Sequence, residues 1–526
     1  SGLCLLGDTG ELMADQLNSG TRKFRRGVPA KLGAVLAAAA AGLVGLPAAA
    51  QATSAFPASH PAVHPAVSTG AAFSWGNNGT GELGLGNNTD SSVPRLITRL
   101  GRSVTAVSAG TDGSLALTGA GVVWSWGGND QGQLGTGNQQ DSTTPVAVKG
   151  PGGTGRLSGI KAIVSANVAS EALTRRGNVF AWGDNIWGQL GNGTLSGPDH
   201  CLTSPSQTPG PGNVCSKLPV SVVSPSGTGK LGSIAAIAGS SDDDLALRSD
   251  GTVWTWGINV DGQLGTGTNS GPEECKPYTN YAAVGCSTKP VEVVGPGGDG
   301  VLNHVVAVTG GADFDVALRS DGTVWAWGSD AFADLGQTSP APGRCDDPFD
   351  GGPIPCSTVP LQVSGPGGVG HLTRIVAISA EPSAYGLHVL ALSSNGNVWA
   401  WGVNDYGQLG NGLSQEYDNL PNEVVGPDGK GFLRHVVGIA AGGGFSLARL
   451  ANGSVWSWGE NSDGQLGIDS TTGPSQCTTD LTACSLVPVQ VKGAGGTGLF
   501  SRAVRIAAGQ VHALAVQSEP AWWRAP

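Results

Sequence analysis

Eight of the nine cysteines stand as four near-neighbour pairs: Cys201 with Cys215, Cys275 with Cys286, Cys345 with Cys356, and Cys477 with Cys484. Thiols so placed could hold a metal or oxidise. Zinc sites usually join two closely spaced Cys-x-x-Cys or His motifs, and the sequence has none. Four local disulfides are therefore expected, each closing an inserted loop. Asp242-Asp243-Asp244, and Asp346-Asp347 with Asp350, offer oxygen ligands for calcium, but they lack the periodic spacing of a calcium loop and are expected to be solvated charge. Gly295-Pro296-Gly297-Gly298 and Gly365-Pro366-Gly367-Gly368 lack the Lys-Ser/Thr of a phosphate loop and read as turns. No Gly-x-Ser-x-Gly elbow has a partner His and Asp, and the five tyrosines form no grouping with His and Arg. No catalytic residue, cofactor or metal site is expected.

The elements that carry these residues follow from a phrase repeated seven times, clearest as Trp399-Ala400-Trp401-Gly402-Val403-Asn404-Asp405-Tyr406-Gly407-Gln408-Leu409-Gly410. Its anchors are Trp75, Trp126, Trp182, Trp256, Trp327, Trp401 and Trp458. An aromatic stands two residues before each, and period two marks one face of a strand. Upstream lie turn signals such as Ser320-Asp321-Gly322 and Ser394-Asn395-Gly396, preceded by paired apolar runs such as Val305–Val308 and Val316–Leu318. Downstream comes a strand led by proline, as in Pro290–Val294. Four short strands per unit describe a propeller blade. Anchor spacings of 74, 71 and 74 residues enclose three cysteine pairs, against 51, 56 and 57 where none occurs, so the cysteines sit in insertions.

The first copy starts at Phe73 without two leading strands, and Ala503 to Val516 supplies two such strands without an aromatic partner. The two halves complete one blade. The expected fold is all-β, a seven-bladed β-propeller over residues 71–517, closed by N- and C-terminal strands that share a blade.

The pattern Gly-x-x-His-x-Leu-Ala-Leu, then Gly-x-Val-Trp-x-Trp-Gly-x-Asn-x-x-Gly-Gln-Leu-Gly, resembles the regulator of chromosome condensation repeat. The resemblance implies a seven-bladed propeller, in a superfamily that includes a nuclear guanine-nucleotide exchange factor and secreted β-lactamase inhibitors. The family's His position holds Gly113, Ala169, Asp243, Phe314, His388, Phe445 and His512, so a chemical role shared by all copies is not expected there. In the turn Trp-Gly-x-Asn-x-X-Gly-Gln-Leu, X is Thr80, Gln131, Trp187, Asp261, Phe332, Tyr406 and Asp463. Trp187, Phe332 and Tyr406 are either rim aromatics that bind a partner or side chains tucked beneath the cysteine inserts.

Compartment is read from the N-terminus. Met13 is the only methionine, so residues 1–12 read as upstream translation. Arg22-Lys23-Phe24-Arg25-Arg26, an apolar stretch from Leu32 to Leu46 and Ala50-Gln51-Ala52 then describe a signal peptide over 13–52. The apolar stretch is shorter than the roughly 20 residues of a spanning helix. Residues 53–70 are expected to be a flexible leader and 518–526 a C-terminal tail in which Trp522-Trp523 packs on a blade. Without residues 1–52 the chain keeps 23 basic and 36 acidic residues, formally −13, which argues against a nucleic-acid binder.

These readings predict a secreted, monomeric, non-catalytic propeller that binds an extracellular protein through one loop rim. Inhibition of an extracellular enzyme such as β-lactamase, and a cell-wall, glycan-binding or structural surface role, are the alternatives.

Overall fold

The computed structural model describes residues 69–201, 214–276, 282–347, 352–383, 386–477 and 481–519. The expected signal peptide, residues 1–12, nearly all of the leader, Asp350 and Trp522-Trp523 lie outside them. The described residues fall within one compact unit, Val67–Pro526, and none of their helices is long and apolar enough to cross a membrane.

Each anchor tryptophan lies on the third strand of a repeated antiparallel unit. In unit four the strands are Ile234–Gly239, Asp243–Arg248, Val253–Ile258 and Val284–Glu292. Their pairing follows chain order, Asp244 opposite Trp256 and Thr255 opposite Val291. Among the described residues the strands form six sheets: one of eight strands, four of five and one of four. The eight-stranded sheet is two units joined at a single pair, Gly70 opposite Val104. Unit one is assembled from both ends of the domain, since Gly70–Gly76 pairs along its length with His512–Ser518, and Ser91–Leu96 completes it.

One expectation about local structure needs correction. The prolines do not open the fourth strands. Pro290 lies inside Val284–Glu292, at the register shift between the Thr255 and Gly257 pairings. There four steps of this strand oppose two of its neighbour, and residues left out of the ladder are where a missing N–H costs least.

The units are held together through the anchors. All seven anchor tryptophans are fully buried. Each indole N–H donates to a backbone carbonyl in the turn of the preceding unit, over 2.7–2.9 Å: Trp126 to Glu82, Trp182 to Gln133, Trp256 to Gln189, Trp327 to Gln263, Trp401 to Asp334 and Trp458 to Gln408. Trp75 donates to Gln465, linking the last unit to the first. Glycine at the end of the turn makes this approach possible. A Cβ on Gly410 would stand 2.7 Å from the Trp458 indole nitrogen, and one on Gly467 2.8 Å from that of Trp75. The first strands of successive units also pack on one another, with Ala503–Ala508 against Val104–Ala109.

Candidate functional site

In six of the seven units the turn after the anchor is fixed by two side-chain clamps, and unit five keeps one of them, Leu335 N–H to Asp330 Oδ1 at 3.1 Å, with Asp334 where the others carry Gln or Glu. In unit six, Leu409 N–H donates to Asn404 Oδ1 at 3.0 Å and Tyr406 N–H to Gln408 Oε1 at 2.9 Å. The same clamps recur in unit three, through Asn185 and Gln189, and in unit seven, through Asn461 and Gln465. Where both clamps hold, residue X has a fixed backbone, and only its side chain varies from unit to unit.

The three aromatics at X have different surroundings. Trp187 is 7% exposed, packed with Ile258, Val260, Val284 and the cystine of Cys275 and Cys286 from unit four. It is thus a packing residue beneath an insert, because the disulfide hairpin of the next unit folds over it. Tyr406 is half-buried beside Gly444 of unit seven, where a Cβ would come within 3.0 Å of its ring. Phe332 is 37% exposed.

All four cysteine pairs are bonded as neighbours: Cys201–Cys215, Cys275–Cys286, Cys345–Cys356 and Cys477–Cys484. Each insert is a hairpin that adds a fifth strand to its sheet, such as Glu273–Cys275 against Val284–Glu292. Replacing Cys275 and Cys286 together by alanine should lower stability by about 3 kcal/mol on the loop-entropy scale. It should also shift the emission of Trp187 to the red as its cover loosens. Urea titration followed by tryptophan fluorescence checks both, and an unchanged spectrum would show that the hairpin holds without its bond.

One residue escaped the sequence reading. The slot four positions before the strand proline holds Asp90, Asp141, Cys215, Cys286, Cys356, Tyr417 and Cys484. Asp90 and Asp141 accept the backbone N–H of Asn78 and Asn129, each at 2.8 Å, and the cysteines form the disulfides. Tyr417, in the unit between two cystine hairpins, is instead 44% exposed. Counting back from Pro421 would have found it.

The family's His position also becomes intelligible. It points into the next unit, where His388 Nε2 lies 2.8 Å from Ser446 Oγ and His512 Nε2 2.8 Å from Ser114 Oγ. Burial pushes His388 down to about 3 and His512 down to about 4, so both are neutral structural bridges. Asp243 fills the same slot opposite Asp315 of unit five, and the two buried carboxyls face each other's charge across the boundary. Burial above all holds both far above the usual carboxylate range. Asp243 and Asp244 are each 1% exposed, so the acidic run is not solvated charge as its sequence suggested. Among the described residues, no three His, Cys, Asp or Glu side chains gather to hold a metal.

With this geometry in hand, similarity to known proteins is informative. A family model described as the Regulator of chromosome condensation (RCC1) repeat matches residues 69–117, 120–166, 176–240, 250–318, 395–449 and 452–516. A second model of the same repeat matches 104–133, 375–408 and 436–465. The chain is 27% identical to the Ultraviolet-B receptor UVR8 of Arabidopsis thaliana over 397 residues, 75% of this chain and 74% of that protein. It is 30% identical to the E3 ubiquitin-protein ligase HERC2 of Mus musculus over 384 residues, 72% of this chain but only 6% of the ligase. Among solved structures, Prp20p of Saccharomyces cerevisiae, described with its binding properties to Gsp1p and histones, superposes with a TM-score of 0.60 at 21% identity, covering 87% of this chain and 93% of that one.

Proposed function

Because the chain belongs to the regulator of chromosome condensation (RCC1) repeat family, we propose that it is a non-catalytic propeller which recognises an extracellular protein through the rim that carries the clamped turns. We take its seven units to close into one seven-bladed ring, a reading supported by the Gly70–Gly76 to His512–Ser518 pairing and the Trp75 to Gln465 bond. Export is supported by four disulfides, which persist in oxidising compartments.

The observation that carries the binding role is the contrast between the fixed turn backbone and its varied X side chain. A rigid frame with variable, partly exposed side chains lowers the entropy cost of association and leaves selectivity to a few positions. Phe332 and Tyr406 are the proposed contacts, with Trp187 bracing the rim from below. The relative in yeast binds protein partners, which agrees with a recognition role for this architecture.

The test is capture of proteins from extracellular fractions by the oxidised chain, followed by Phe332→Ala with Tyr406→Ala. Capture of an identified partner should weaken by at least tenfold while the melting temperature holds. Unchanged affinity for every partner would overturn the rim assignment.

A further inference from the structure

The fourth strand of unit six, Gln415–Glu423, differs from its six counterparts. In units three, four, five and seven the start of this strand is covered by an added fifth strand, such as Ser475–Cys477 against Thr482–Gln490. In units one and two the strand is shorter and begins at Ser91 and Ser142, which pair with Gly76 and Gly127. Unit six has the longer strand without the cover. Asp418 pairs with Gly402, and the strand continues back through Tyr417 to Gln415, which pairs with Asn404. Among the described residues its sheet has four strands and no fifth.

The side chains at this open end are exposed. Gln415, Glu416 and Tyr417 all face solvent, and Leu413 just before them is 53% exposed. Across the boundary with unit five lies the slot of Phe332. In units three and four the two equivalent slots hold Trp187 and Cys286, which share one apolar cluster. Phe332 and Tyr417 occupy the same two slots with no hairpin over them. The rest of the strand is tied down, as Asn419 Nδ2 donates to the Gln337 carbonyl at 3.2 Å.

From this we infer that the Gln415–Asp418 edge of unit six is a docking site for an extended peptide segment of a partner protein, which adds the missing fifth strand and lays an apolar side chain over Phe332 and Tyr417. This inference rests on the rim-recognition reading and narrows it to one unit. A ladder edge supplies main-chain hydrogen bonds once the exposed Gln415 side chain, which donates to the Tyr417 carbonyl at 3.3 Å and to Asp418 Oδ2 at 3.2 Å, swings aside, and alternate side chains of an added strand fall on one face, here the aromatic one. Glu416, the extra residue at the register shift between the Val403 and Asn404 pairings, and Asp418 bring negative charge to the same edge, so the complementary segment alternates apolar residues with lysine or arginine.

The probe is a fluorescent nine-residue peptide of alternating lysine and valine, compared with one alternating glutamate and valine, on the full oxidised chain. The basic peptide should bind at least tenfold more tightly than the acidic one and slow hydrogen exchange at Glu416 to Asp418. Tyr417→Ser with Leu413→Ser should weaken it by at least tenfold, and Glu416→Lys should narrow the preference between the peptides. All three altered residues are exposed, and an unchanged melting temperature confirms that folding is intact. Equal binding of both peptides, no binding, protection elsewhere or indifference to the substitutions would each overturn the site. A protein partner lost on Tyr406→Ala but untouched by Tyr417→Ser would leave the rim reading standing and remove this edge from it.

Discussion

Trp458→Ala is expected to cost about 3–5 kcal/mol of folding stability, the range for deleting a fully buried large aromatic. Three losses fall together. The indole fills the core between units six and seven, packed with Leu409, Val424, Leu433 and Ala448. Its N–H satisfies the Gln408 carbonyl at 2.8 Å, and that carbonyl also accepts the Ser446 hydroxyl at 2.9 Å. The turn glycine Gly410, shaped by φ of +62° to lie against the indole, loses the surface it was shaped for. Trp458→Phe should retain much of the packing and lose the hydrogen bond, at about 1–2 kcal/mol before any cavity cost. Urea midpoints of the two variants against the parent separate the contributions. A cost below about 1 kcal/mol for alanine would mean that neighbouring units do not depend on this anchor.

Stability should fall as pH rises from 6.5 to 8.5, opposite to a protein whose carboxylates are held by ion pairs. Burial, with the Asp242 charge second, pushes Asp184 up to about 8, and burial pushes Glu381 up to about 8. Both stay protonated in the folded chain until the pH nears 8, whereas their unfolded counterparts ionise near pH 4. The folded state therefore binds more protons, and each group withdraws stability until the pH passes its folded value. These two groups alone account for about 4 kcal/mol across the window. Glu171, Asp243, Asp244, Asp315 and Asp334, all raised mainly by burial, add to the same slope. His388 and His512 act in the opposite sense below pH 6.5, because the unfolded chain then gains protons that the buried rings refuse. Seven raised carboxyls outweigh the two histidines, so the decline begins well below pH 6.5 and steepens above it, where the histidines no longer oppose it. Thermal melts between pH 5 and 9 check the shape, and Asp184→Asn with Glu381→Gln should flatten the alkaline limb. A profile flat from 6.5 to 8.5 would show that these carboxyls are not held protonated.

The units and their strands were legible because period-two aromatics and turn glycines recur in register, and the disulfides because their cysteines share one phase. The side chains between units were much less so. Asp243 and Asp244 read as solvated charge, since nothing local announces that Asp315, about seventy residues on, will close over them. Trp187 was ambiguous for a related reason, as its cover is a hairpin of the following unit. His388 belongs to a repeat motif, yet its partner Ser446 is set only by how two units meet. Tyr417 was not legible in the repeat motif because its slot is counted from Pro421, beyond the turn.

The register that sets Gly70 opposite Ser518 also decides how the domain would answer a pulling force. The two strands run antiparallel, so the chain enters and leaves the described domain at neighbouring positions. Tension applied through both ends would load the first rung of that ladder alone, then the next, peeling the strands apart at low force. A pull between one end and a residue on a distant sheet would instead strain many rungs together. If the protein were tethered by both ends in a moving environment, this seam would open first from Gly70, and the peeling would meet its main resistance at Trp75, which is pinned to Gln465.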